Sequence, residues 1–208
     1  MTSPSPTETP ATANPPSLIL KLGLITDPID LETIFAQPRP LEVELGSGDG
    51  SFLAQYAARN RDRNFLGVER LLGRLRKLDR KGLRAGLDNL RVVRIEAAYL
   101  LEFLLPPVSV SALHVYFPDP WPKRKHRKNR LINEQFTALA QRSLQPGGIV
   151  YLRTDDADYF QQMTAVFGAN AAFTSIDTPA DLSEIVTDFE RQFNQQGIAT
   201  NRAAYQLR

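Results

Sequence analysis

From about residue 40 the chain alternates two hydrophobic patterns. Short apolar runs occur at Leu41–Leu45 (LEVEL), Asn64–Val68 (NFLGV), Val92–Ile95 (VVRI), Leu113–Phe117 (LHVYF) and Ile149–Leu152 (IVYL). Runs of this length read as strands buried in a parallel sheet. Longer stretches with helical spacing lie between most of them, as at Phe52–Arg59, Leu71–Leu83 and Leu131–Leu144. The last of these runs into Gln145-Pro-Gly-Gly, a helix stop. Strands spaced by helices predict a doubly wound, mostly parallel α/β sheet of Rossmann-like form, covered on both faces. Ala203–Leu207 is expected to add a late edge strand. Ligands on such sheets bind at the carboxyl ends of the strands.

Composition narrows the chemistry. At 208 residues the chain has the size of one domain with a sizeable core. Residues 1–17 hold five Pro and seven Ser or Thr, and they read as a disordered tail ahead of a single domain over 18–208. They lack the basic start and apolar run of a secretory signal. No stretch of about 18 apolar residues predicts a membrane span, so a cytoplasmic location is expected. There are no cysteines, which excludes disulfides, thiolate metal sites and cysteine nucleophiles. The two histidines, His114 and His126, show no metal-ligand spacing, and no metal is expected.

The net charge of +2 conceals a segregated pattern. Residues 59–94 hold 12 Lys/Arg against four Asp/Glu, and 123–130 (KRKHRKNR) add six more with no acid. Residues 154–190 hold eight acids and no Lys or Arg. Clustered basic residues are the electrostatic footprint of nucleic-acid binding. For 59–94, a set of solvated helix faces is an equally good reading.

Two motifs carry candidate chemistry. In Glu42-Val-Glu-Leu-Gly-Ser-Gly-Asp-Gly50 a strand runs into Gly46, Gly48 and Gly50, with a helix to follow near Ser51. Such a loop permits a tight turn and close approach of a ligand to the backbone, although a purely structural turn fits too. Ser51 stands where the dinucleotide fingerprint has its third glycine. Glu44 would face whatever lies over the loop, and a carboxylate suits the sulfonium and ammonium of S-adenosylmethionine better than the pyrophosphate of NAD. Glu69 ends the next strand and is placed to accept from ribose hydroxyls. Glu96, followed by Ala97, is placed to address an adenine, or is a surface residue. The second motif is Tyr116-Phe-Pro-Asp-Pro-Trp-Pro122, whose prolines predict a rigid loop holding Asp119 beside Trp121. A carboxylate next to an aromatic plane, followed at once by a basic run, suggests a pocket for a flat base with phosphates on the adjoining apron. A Pro-rich structural turn is the alternative.

Taken together, these residues resemble the bacterial tRNA (guanine-N7-)-methyltransferases over roughly residues 20–197. The matching pieces are Glu44–Gly50, Gly67-Val-Glu69, Glu96-Ala97, Pro118–Lys123, His126 with Arg130-Leu131, Thr154-Asp155 and Thr187–Glu190. The resemblance implies an S-adenosylmethionine-dependent enzyme that forms 7-methylguanosine in tRNA. It implies that Glu44, Gly46, Gly48, Gly50, Glu69, Glu96 and Asp119 line the cofactor site, with Asp119 also catalytic. Lys123, Asp155, Thr187, Asp188, Phe189 and Glu190 would contact the guanosine. Arg124, Lys125, His126, Arg127, Lys128 and Arg130 would lie along the RNA. A monomer or weak homodimer with no required protein partner and no membrane attachment is expected. Glu96 stands where the family usually has Asp, Asn129 where it has Arg, and Gln192 where it has a basic residue. Methylation of an exocyclic amine and a non-catalytic RNA-binding role are the competing readings. His114, inside an apolar strand, is expected to be a core residue.

Overall fold

The computed structural model describes residues 17–208. The expectation of a disordered tail therefore falls outside the described residues, apart from Ser17. In chain order the elements are β1 (Ile19–Leu20), α1 (Leu31–Ile34), β2 (Leu41–Leu45), α2 (Leu53–Arg59), β3 (Asn64–Val68), α3 (Leu72–Arg84) and β4 (Leu90–Val93). Then come α4 (Ala97–Tyr99), running into a π-helical turn (Leu100–Leu104), β5 (Val110–Tyr116), a 3-10 segment (Arg124–Asn129), α5 (Glu134–Ser143) and β6 (Leu144–Thr154). The chain continues through α6 (Ala157–Ala169), β7 (Phe173–Ile176), α7 (Ala180–Glu184), α8 (Asp188–Gln195) and β8 (Asn201–Leu207).

These strands form one sheet in the order β1-β4-β3-β2-β5-β6-β8-β7. All neighbours pair in parallel except at β8, which runs antiparallel to both β6 and β7. This is the doubly wound, mostly parallel α/β fold that the alternating pattern predicts. β8 is not the expected edge strand, because it lies between β6 and β7. β2 and β3 match the apolar runs to the residue and are buried throughout. β4 begins and ends two residues earlier than predicted, because Glu96 leaves the sheet to cap α4, accepting from the Tyr99 amide at 2.9 Å. α5 starts at Glu134, where the Asn133 side chain accepts from the Phe136 amide at 2.9 Å.

Two apolar layers cover the sheet. One packs α2 and α3 through Phe52, Leu53, Tyr56, Leu75 and Leu78. The other packs the π-helical turn, α5 and α6 through Leu100, Leu104, Phe136, Ala140 and Met163. Each fully buried leucine contributes about 1.5–3 kcal/mol. His114 is a core residue as expected: it is fully buried, with Nε2 2.7 Å from Glu42 and Nδ1 2.8 Å from the Tyr116 hydroxyl. β2 and β5 pair at the centre of the sheet, and the loops after them line two adjoining cavities.

Candidate active site

The loop after β2 is shaped by its own glycines. Gly46, Gly48 and Gly50 have φ of 84°, 54° and 77°, a region that strains other residues. The amides of Gly46 and Ser47 both donate to the Val68 carbonyl, at 2.9 and 2.8 Å, which ties the loop to the end of β3. Two of the glycines serve different ends. A Cβ on Gly50 would lie 2.3 Å from Leu78 Cδ1, so this glycine admits α3. A Cβ on Gly46 would meet nothing within 4 Å, so its Cα face opens on the cleft. Beside the loop, Asp49 forms an ion pair with Lys81 at 2.9 Å.

Two adjoining cavities occupy the carboxyl edge of the sheet. The first, about 300 Å³, is lined by Glu69, Leu71, Ile95, Glu96 and Ala97. The second, about 310 Å³, is lined by Glu44, the glycine loop, Asp155, Thr187, Phe189 and Phe193. Gly46, Arg74, Phe117 and Asp119 line both. Glu44 is buried, and its Oε2 has no hydrogen-bond partner among the described residues. Burial pushes its carboxyl up to about 8, against the pull of the Arg153 guanidinium. An unpartnered carboxylate beside an open glycine face fits a ligand that brings a cationic group over the loop.

The loop after β5 is held differently. Phe117 and Trp121 are not glycines, yet their φ values are 52° and 42°. Such residues cost on the order of 1–3 kcal/mol each and persist where surroundings over-determine them. The side chain of Arg130 and the backbone of Arg153, both buried, supply that restraint. Arg130 donates to the Pro120 carbonyl at 2.7 Å and to Gln162 and Asp158 of α6 at 2.9 and 2.6 Å. The backbone carbonyl of Arg153 accepts from the Phe117 amide at 2.8 Å. The Arg153 side chain lies 4.3 Å from the Tyr116 ring centroid and donates to Glu190 at 2.9 Å, to the Ile185 carbonyl at 3.0 Å and to the Leu182 carbonyl. Asp119 is exposed on this restrained loop, at the wall that the two cavities share.

Residues 38–203 match the protein family described as "Putative methyltransferase". The tRNA (guanine-N(7)-)-methyltransferase of Halorhodospira halophila is 35% identical over 86% of this chain and 80% of that protein. The chain belongs to the tRNA (guanine-N(7)-)-methyltransferase family. The same-named protein of Nitrosococcus oceani is 36% identical over 85% of this chain and 75% of its own length. Among solved structures, the 16S rRNA methyltransferase KamB superposes with a TM-score of 0.63 at 15% identity, covering 87% of this chain and 94% of that one. The antibiotic-resistance methyltransferase Kmr gives a TM-score of 0.57 at 17% identity, over 86% of this chain and 91% of that chain. At those identities the likeness shows the fold.

For this methyltransferase the structure brings Glu44, Gly46, Gly48, Glu69, Glu96, Asp119, Asp155, Thr187 and Phe189 to the cavities. Gly50 lies behind them, against α3. Asp188 is half-buried beside the second cavity, its amide 3.4 Å from Ser51 Oγ. Lys123, Arg124, Lys125, Arg127 and Lys128 are exposed, and His126 is half-buried against the edge of Trp121.

Three expectations need correction. Arg130 does not lie along a surface: it is 2% exposed and anchors the proline loop. Glu190 does not face the cavity. It is fully buried, with Oε2 accepting from the Thr187 amide and Arg153, and Oε1 from Arg202 at 2.9 Å. With Thr187 it forms a capping box that starts α8. The aromatic rings that share the second cavity with Asp119 are those of Phe117, Phe189 and Phe193, whereas Trp121 lines neither cavity. Sequence reasoning missed Arg153, Arg74 and Phe193. A charge inside the apolar run of β6 was the available signal for Arg153. The i, i+4 spacing of Phe189 and Phe193 on an amphipathic helix was the signal for Phe193.

Proposed function

We propose that this methyltransferase transfers the methyl group of S-adenosylmethionine to N7 of a guanosine in tRNA, forming 7-methylguanosine. The observation that carries the reading is the pair of carboxylate-lined cavities sharing Asp119, with the unpartnered Glu44 beneath the glycine loop. S-adenosylmethionine, when bound, supplies an electrophilic methyl on a sulfonium. Glu44 neutralises cationic charge over the loop, and Gly46 lets that group approach the backbone. Glu69, at the end of β3, accepts from the ribose hydroxyls. Glu96 reaches the adenosine by exchanging its cap on α4.

The acceptor base enters the second cavity against Phe117, Phe189 and Phe193. Guanine N7 has a free lone pair and no proton, so no general base is needed. The methyl would come from the bound sulfonium, whose remainder leaves as a neutral thioether, so the positive charge would end on the base. Asp119, held rigidly at the shared wall, stabilises that charge more in the transition state than in the ground state. Asp155 offers an acceptor to the N1–H and N2–H₂ edge of guanine. Lys123, Asp188 and Phe189 complete the guanosine contacts, and Arg124, Lys125, His126, Arg127 and Lys128 hold RNA phosphates. Thr187 and Glu190 act by fixing the start of α8. The reaction is carried by one domain over 18–208, as a monomer or weak homodimer in the cytoplasm, with no protein partner or metal required. Among the described residues no helix is long and apolar enough to cross a membrane.

The test is methyl transfer from labelled S-adenosylmethionine to unmodified total tRNA, followed by nucleoside analysis. The expected product is 7-methylguanosine. Label in another nucleoside would overturn the choice of atom. Absence of label from protein that binds the cofactor would overturn tRNA as the acceptor.

A further inference from the structure

We propose that the outward face of α3 is a second surface for the tRNA backbone, on the opposite side of the cleft from the Arg124–Lys128 apron. The inference rests on the tRNA reading above and extends it to residues outside the family's matching motifs. Helical spacing puts Arg76, Lys77, Arg80 and Arg84 on one face, opposite the buried Leu75, Leu78 and Gly82. All four are exposed, and none has an ion-pair partner among the described residues. The only acid on α3, Asp79, accepts from the Leu18 amide at 2.7 Å and from Ser17 at 3.3 Å.

A face that merely dissolves in water gains from mixed signs. This one sets Arg76, Arg80 and Arg84 at successive i, i+4 positions, which disfavours the helix. Other arginines of the same basic region are tied down, Arg61 to Asp88 and Arg63 to Glu42. The stripe is continuous with the site. Arg74, nearer the start of α3, lines both cavities and stands 6.0 Å over the Phe189 ring. The topology places α3 on the β3–β4 side of β2, and the apron follows β5 on the other side. A nucleotide inserted between them therefore has basic protein on both flanks, with α3 leading about 20 Å away from the cleft.

The experiment is tRNA binding across a salt series for five proteins: the wild type, the triple variant Arg76→Gln/Arg80→Gln/Arg84→Gln, the apron variant Lys125→Gln/Lys128→Gln, and the single variants Arg80→Gln and Arg80→Glu. The triple variant is expected to bind on the order of tenfold more weakly. Its slope of log affinity against log salt should fall by about 2–3, near one per lost phosphate contact. Its S-adenosylmethionine affinity should match the wild type. Arg80→Glu controls for folding, because it sets a carboxylate between Arg76 and Arg84. It should melt no lower than wild type and bind tRNA less well than Arg80→Gln. A triple variant with the wild-type slope, beside an apron variant with a reduced one, would remove α3 from the footprint. A wild-type protein with no salt-dependent tRNA binding would overturn the tRNA reading as well.

Discussion

The glycine loop after β2 and the proline loop after β5 face each other across one cleft, yet their shapes have different origins. The glycine loop takes positive φ only at Gly46, Gly48 and Gly50, so its form is local and nearly free of strain. The proline loop puts Phe117 and Trp121 into the same region and must be restrained from outside. Arg130 does this with its buried side chain, and Arg153 with its backbone carbonyl, which accepts from the Phe117 amide. One wall of the site thus depends on its own residues, and the other depends on residues far along the chain.

The largest expected effect is that of Arg153→Met, which keeps the carbonyl bonded to Phe117 but removes the side chain behind that wall of the cleft. Removing one partner of a buried ion pair costs about 3–5 kcal/mol. Thermal melts should show that loss, and substrate affinity should fall more than cofactor affinity, because Glu190 and the start of α8 lose their anchor. Asp119→Ala comes next. It removes a charge aimed at the transition state and should lower turnover by about 10²–10³-fold. Titration of S-adenosylmethionine should show a much smaller change, and equal losses would reduce Asp119 to a binding residue. On the glycine side, Gly50→Ala should cost about 2 kcal/mol or more in a denaturant melt, from φ strain and collision with Leu78. Gly46→Ala meets open space, so its main effect should be on cofactor affinity.

A further effect is electrostatic. Burial holds the Glu44 carboxyl near 8 in the folded chain, against an ordinary value of 4.5. The raised value means the folded state binds more protons than the unfolded one between those limits. The stabilising contribution is complete below pH 4.5 and is lost as pH rises through about 8. Glu44→Gln should flatten that decline in melts at successive pH values. Binding of a cationic ligand should release a proton below pH 8 and tighten with pH, by up to about tenfold per unit. Calorimetry in buffers of different ionisation heat measures the proton directly.

The same contrast sets what the sequence reveals. β2, β3 and the glycine loop are legible because continuous apolar runs and local glycines determine them. β7 is not, because only Phe173 of its four residues FTSI is buried, and its one strand neighbour is β8. The start of β6 is hidden because Gln145-Pro-Gly-Gly reads as a turn, whereas Leu144 pairs with Val110 across a bulge. Charged residues were the hardest to place. Arg130 closes a run of exposed basic residues, and Glu190 ends a run of acids, yet both are buried struts. Nothing local separates a charge that meets ligand from one that meets another side chain.

The position of β8 bears on how the protein is made. A ribosome delivers β6 and β7 before residues 201–207 exist, and neither strand pairs with the other in the finished sheet. Until then the outer edge of β6 stays open as a template for unwanted pairing, and β7 has no neighbour. The last strand also brings Arg202 to Glu190. Assembly of the guanosine side of the cleft therefore waits for nearly the whole chain, so a nascent polypeptide stalled before residue 201 would expose its basic surfaces to RNA without a finished site to act on it.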